Sequence, residues 1–110
     1  MKPLPIAVGI LIALSSQAVA QEGGNAARGA KLAVSVCAQC HAVRADQMRS
    51  PDPMAPGFAN VANWPGMTDR ALRVWLQTSH PTMPNFMLKR GERNDVAAYI
   101  LSLKSGRSAL

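Results

Sequence analysis

Five consecutive residues, Cys37-Ala38-Gln39-Cys40-His41, constrain this chain more than any other feature. They spell C-x-x-C-H, the haem-attachment pattern. Two thiols separated by two residues can add to the vinyl groups on neighbouring pyrroles of one porphyrin and form two thioethers. The residue directly after the second Cys then sits under the iron, and a histidine there offers a neutral ring nitrogen, the usual proximal ligand. Three other chemistries share the spacing. A redox dithiol belongs with a βαβ pattern, which the sequence lacks. A structural zinc site needs four ligands, and beyond the two cysteines the chain has only His41 and His80, one of them fixed beside the Cys pair. A plain disulfide in an exported protein is the third. Covalent haem attachment is the reading that also needs a histidine directly after the second Cys, as His41 is.

The first twenty residues fit export. Lys2 supplies a positive start, Ile6 to Leu14 is an unbroken run of apolar residues and glycine, and Ala18-Val19-Ala20 is a small-x-small cleavage site before polar Gln21-Glu22. The run is short of the ~20 apolar residues a bilayer span requires. Residues 1–20 therefore read as a secretory signal cleaved after Ala20, which places residues 21–110 in the periplasm as one small domain with no stable membrane insertion. A domain of that size is marginal on core burial alone, and a buried haem would add apolar mass. An oxidising compartment also demands a fate for two thiols, and thioether bonds give one.

Three helices are expected. Over 26–36, Gly29, Leu32, Ala33 and Val36 share one face, and the helix runs straight into Cys37. Gly29 has no side chain on that face, which points to close approach by another helix. From Thr68 to Thr78, Thr68 can cap, Asp69 suits the first turn, Asp69 and Arg73 form an i, i+4 pair, and Ala71, Leu72, Trp75 and Leu76 make a buried stripe. From Glu92 to Leu103, Val96, Tyr99, Ile100 and Leu103 share a face, and Gly106 follows as a stop.

Between the first two helices, residues 42–67 hold four prolines and two glycines and read as a long loop. Its spaced apolar residues Met54, Phe58, Val61 and Trp64 would line a cofactor. Trp64 or Trp75 could also donate an indole hydrogen bond to a haem propionate. After the second helix, His80-Pro81-Thr82-Met83-Pro84 is a stiff strap, because each proline forces the residue before it towards extended backbone. Of the six methionines, Met83 alone sits in that setting. Its thioether can supply a second axial ligand, and the His80 imidazole is the rival.

With these features together, the chain resembles the class I c-type cytochromes of bacteria over roughly residues 24–105. The resemblance rests on C-x-x-C-H near the N-terminus, Met83-Pro84 downstream, and a final helix carrying Ala98-Tyr99-Ile100. It implies an all-α, small cytochrome c-like helical domain wrapped around one covalently bound haem c. By the resemblance, Cys37 and Cys40 are the thioether sites, His41 the proximal ligand and Met83 the distal one. The family's glycine eight residues before the first Cys is Gly29, packed against the aromatic Tyr99. Pro56, in Pro56-Gly57-Phe58, matches the proline whose carbonyl accepts from the proximal histidine. One departure stands out: the position four before the first Cys is often aromatic in the family and is Ala33 here, so the helix crossing should be closer or weaker than usual.

The resemblance implies a periplasmic one-electron carrier and not an enzyme, since two axial ligands leave the iron no site for substrate. An electron-transfer subunit of a larger dehydrogenase or oxidase complex, and an open-site haem enzyme or gas-binding protein, are the alternatives. The formal net charge is +6, or +5 once Lys2 leaves with the signal. That bias suits redox partners with acidic docking surfaces met by a monomer, with Lys31, Arg44, Lys89 and Arg90 flanking the ligand-bearing segments. No basic run with interleaved aromatics suggests nucleic acid.

Overall fold

The structure is a computed structural model that describes residues 1–6, 8–10, 23–78 and 88–105. Among the described residues it is helical without strands, in the order α1 (Ala26–Val36), a 3-10 turn (Cys37–Gln39), α2 (Phe58–Ala62), α3 (Asp69–Gln77) and α4 (Arg90–Ser102). Helices α1, α2 and α3 all pack on α4. The last helix is thus the hub of the fold.

Local chemistry explains where each helix begins. Asn25 caps α1, its side-chain oxygen accepting from the Arg28 N–H at 2.9 Å. Thr68 caps α3 through the Ala71 N–H at 3.1 Å, and Asp69 joins Arg73 at 2.8 Å one turn on. The Glu92 carboxylate reaches back to the Lys89 N–H at 2.7 Å and holds the start of α4. Before α3, the chain reverses through Trp64-Pro65-Gly66-Met67. Gly66 lies at φ 75° and the Met67 N–H donates to the Trp64 carbonyl at 3.1 Å, the arrangement of a type II turn with Pro second and Gly third.

The α1 and α4 backbones touch. A Cβ built on Gly29 would lie 1.9 Å from the Asp95 carbonyl oxygen and 2.9 Å from Tyr99 Cβ, and one on Gly24 would lie 2.0 Å from the Asn94 carbonyl. Ala33, one turn beyond Gly29, is fully buried. Small residues on this face let the helices meet main chain to main chain. Asp95 ties the same junction from the side, accepting from the Asn25 N–H at 2.7 Å and from Arg28 Nε at 3.0 Å. Burial alone would raise the Asp95 carboxyl, but the Arg28 hydrogen bond, the Asn25 N–H and the Arg28 charge together hold it below its ordinary value.

Beneath this crossing the core gathers Val43, Phe58, Val61, Ala62, Leu72, Val96, Ala97 and Ile100. Two expectations need correction. Residues 42–67 are not loop throughout, because Phe58 and Val61 turn inward as part of α2, while Met54 stays 76% and Trp64 43% exposed. The inward stripe of α3 is also narrower than its periodicity suggests. Leu72 is buried, but Ala71 is exposed and Trp75 is 56% exposed. Among the described helices, α3 packs on α4, and Leu72 is the α3 residue that this contact buries.

Candidate haem-binding site

The C-x-x-C-H stretch is a tightened continuation of α1. The Cys40 and His41 N–H groups both donate to the Cys37 carbonyl, at 3.2 and 2.9 Å. Residues three apart in a 3-10 turn eclipse one another, so Cys37 and Cys40 stand on one edge of the turn. Both are unpaired thiols, neither fully buried. Burial pushes the Cys37 thiol up to about 11. A redox dithiol works through a depressed thiol that ionises near neutrality, and the burial of Cys37 acts in the opposite direction. Among the described residues no three His, Cys, Asp or Glu side chains cluster as a metal-ion cage.

The backbone reverses after His41, and the loop that follows returns to cover it. His41 Nδ1 lies 2.7 Å from the Pro56 carbonyl oxygen. A carbonyl can only accept, so Nδ1 carries a proton, and in the neutral ring Nε2 keeps its lone pair. The imidazole is thereby fixed in the tautomer a metal ligand needs, with its second nitrogen hydrogen-bonded as ligating histidines almost always are. Phe58 packs against the ring, with centroids 5.3 Å apart, and Tyr99 meets Phe58 edge-on at 6.5 Å.

These residues suit a covalently held haem on their own chemistry. Two thiols share one edge of a turn, and the neighbouring imidazole presents an unprotonated nitrogen. The structure brings Cys37, Cys40, His41 and Pro56 together at the end of α1, and Gly29 and Tyr99 together where α1 crosses α4. Met83 and its rival His80 lie outside the described residues.

Sequence reasoning missed the grip on the segment after His41. Ala42 and Val43 are each 2% exposed. Their N–H groups donate to Ser50 Oγ and Gln47 Oε1, at 2.9 and 3.2 Å, and the Tyr99 hydroxyl donates to the Val43 carbonyl. Burial raises the Tyr99 phenol and Asp46 adds to it, while Arg44 pulls the other way. Ser and Gln in a polar loop carry no periodic signal, so only the folded loop identifies them.

The family profile "Cytochrome c" matches residues 26–104, from the first residue of α1 to just beyond α4. Cytochrome c-552 of Bradyrhizobium diazoefficiens is 40% identical over 96 residues, covering 86% of this chain and 90% of that protein. No solved structure matches the chain.

Proposed function

The chain belongs to the cytochrome c family and is an electron carrier with covalently bound haem c; on that premise we propose that it works in the periplasm, with His41 and Met83 as the two axial ligands of the iron. Cys37 and Cys40 are the thioether sites. The observation that carries this reading is the His41–Pro56 bond, which leaves Nε2 of the residue after the second Cys free to ligate. Met83 rests on the Pro-framed strap and on the family resemblance.

The haem supplies an iron that cycles between ferric and ferrous states. The protein's share is to hold that iron in constant surroundings and to keep substrate away from it. The Pro56 carbonyl fixes the His41 ring, and Phe58 limits its tilt. With little to rearrange between oxidation states, the barrier to transfer is small. A methionine opposite the histidine raises the reduction potential.

The N-terminal segment supports the proposal of export. Leu4, Ile6, Val8 and Ile10 are at least 79% exposed and pack on nothing in the helical domain, as suits a leader removed after Ala20. No helix among the described residues is long and apolar enough to cross a membrane. Lys31, Arg44, Lys89 and Arg90 are exposed and available to acidic partners. Reaction rates with such a partner should fall with added salt.

The absorption spectrum of the exported ferric protein tests the ligand set. A charge-transfer band of sulfur-bound iron is expected and should vanish in Met83→Ala, which keeps its haem but gains rapid carbon monoxide binding when reduced. His41→Ala should fail to retain haem stably. A normal holoprotein from His41→Ala, or a Met83→Ala spectrum equal to wild type, would refute the corresponding ligand.

A further inference from the structure

The residue after His41 is held at both of its backbone polar atoms. The Ala42 N–H donates to Ser50 Oγ at 2.9 Å, and the Ala42 carbonyl accepts from the Phe58 N–H at 2.8 Å. Val43 is held the same way, between Gln47 Oε1 at 3.2 Å and the Tyr99 hydroxyl. No regular ladder supplies these partners, because the helical turn has ended at Cys40 and α2 begins at Phe58. Buried backbone groups need partners, and at Ala42 and Val43 two loop side chains serve the N–H groups while the Phe58 N–H and the Tyr99 hydroxyl serve the carbonyls.

We propose that Ser50 and Gln47 are positioning residues for the iron ligand His41. By fixing Ala42 and Val43 they set the His41–Pro56 hydrogen bond, and through it the strength with which the imidazole donates to iron. The Ala42 N–H belongs to the peptide plane that joins Ala42 to His41, so whatever turns that plane changes the His41 backbone dihedral and with it the direction in which the imidazole leaves the chain. The Phe58 N–H fixes the far side of Ala42 and ties it to the strand of chain that carries Pro56. With Ser50 Oγ and Phe58 N–H both in place, His41 and Pro56 have one relative position, although 15 residues separate them. Without the hydroxyl, the buried Ala42 N–H must turn to find another acceptor. The His41 Nδ1–H then loses length or angle towards Pro56, and a histidine less supported at Nδ1 is a weaker donor at Nε2. Weaker donation favours ferrous iron.

This inference rests on His41 being an axial ligand, so the test begins with the wild-type holoprotein. The ferrous His41 ring protons should carry the large ring-current shifts of a haem ligand in the NMR spectrum. Their absence would overturn the ligand assignment itself before any variant is made. With that established, three holoprotein variants are compared: Ser50→Ala, Ser50→Thr and Gln47→Ala. The readouts are reduction potential, exchange rate of the His41 Nδ1 proton, and denaturation midpoint.

Ser50→Ala should raise the potential, increasing several-fold the ratio of reduced to oxidised protein at a fixed ambient potential, and should speed Nδ1 proton exchange several-fold. Gln47→Ala, one residue further from the ligand, should shift both in the same direction by less. Ser50→Thr keeps the hydroxyl and should retain wild-type values. An unchanged potential and exchange rate in Ser50→Ala, even with a lower denaturation midpoint, would make Ser50 a mere brace and overturn the inference. So would a Ser50→Thr shift as large as that of Ser50→Ala. If Ser50→Ala does not accumulate as holoprotein, Gln47→Ala decides by the same criteria.

Discussion

Where α1 crosses α4, the two backbones touch because side chains are missing; between His41 and Phe58, the backbone is held because side chains are present. At the crossing, Gly24 and Gly29 sit against main-chain atoms of Asn94 and Asp95, leaving no room for a methyl group. In the loop, Ser50, Gln47 and Tyr99 supply hydrogen bonds to Ala42 and Val43 that no secondary structure provides. The crossing should therefore be sensitive to added volume, and the loop to lost polarity. A change of one kind made in the wrong region should do little, which makes the contrast open to experiment on the holoprotein by reversible denaturation.

The largest effect is expected at Gly29→Ala. Its new Cβ meets backbone at 1.9 Å, and backbone cannot rotate aside as a flexible side chain can. The helices must separate, at a cost of about 3 kcal/mol, the upper end for overpacking. A loss under about 0.5 kcal/mol would mean that the crossing is not tight.

Tyr99 belongs to both regions: its Cβ lies beside Gly29 and its hydroxyl reaches the Val43 carbonyl. Tyr99→Phe keeps the volume at the crossing and removes only the loop bond. It should cost about 1.5 kcal/mol, because the Val43 carbonyl is left buried without its donor. The two regions also separate by pH. Tyr99's folded value is raised, chiefly by burial, so the folded state favours the neutral phenol. Its contribution is complete below the unfolded value of about 10 and is lost as pH rises through the folded value. Wild type should lose stability in that alkaline range more steeply than Tyr99→Phe.

At the acid end the crossing responds instead. Asp95's folded value is lowered: burial opposes this, and Arg28 and the Asn25 N–H outweigh burial. Its contribution is present above the unfolded value of about 3.9 and disappears as pH falls through the folded value. Asp95→Asn should cost about 1 kcal/mol at neutral pH, since the Arg28 partner is 70% exposed and worth little. The gap between wild type and variant should close below about pH 4. A gap independent of pH would assign the loss to packing.

The two regions also differ in how much of them the sequence announces. Helix α1 has the limits its periodicity implies, and Thr68 and Asp69 mark the start of α3 as their chemistry requires. The glycine on the α1 face foretells a close neighbour because an absent side chain within a periodic stripe is itself a signal. Asp95 gives no such signal: a lone carboxylate in a helix looks solvated until the fold brings Asn25 and Arg28 to it. The loop is harder to read. Its prolines and glycines mark turns but not where the turns lead, and α2 is too short for periodicity to reveal. Ser50 and Gln47 act on backbone atoms eight and four residues away, so their partners are fixed by loop closure and not by residue type. Trp75 fails for the opposite reason. Its spacing fits a buried stripe, but among the described helices α3 packs on α4, and that contact buries Leu72 while Trp75 stays 56% exposed.

The smallest expected effect is the sharpest control on the volume argument. Gly91→Ala is the same chemical change as Gly29→Ala, made in the first turn of α4, where a Cβ would meet nothing within 4 Å. No packing cost opposes it, and the backbone there is not left-handed. Alanine reduces the freedom of the unfolded chain and suits a helix better than glycine. Gly91→Ala should therefore stabilise the protein by about 0.5 kcal/mol, opposite in sign to Gly29→Ala. If both variants destabilise equally, the penalty at Gly29 belongs to methylating any glycine of these helices, and the contact between the α1 and α4 backbones loses its special standing. If Gly91→Ala stabilises while Gly29→Ala unfolds, one methyl group has located the crossing.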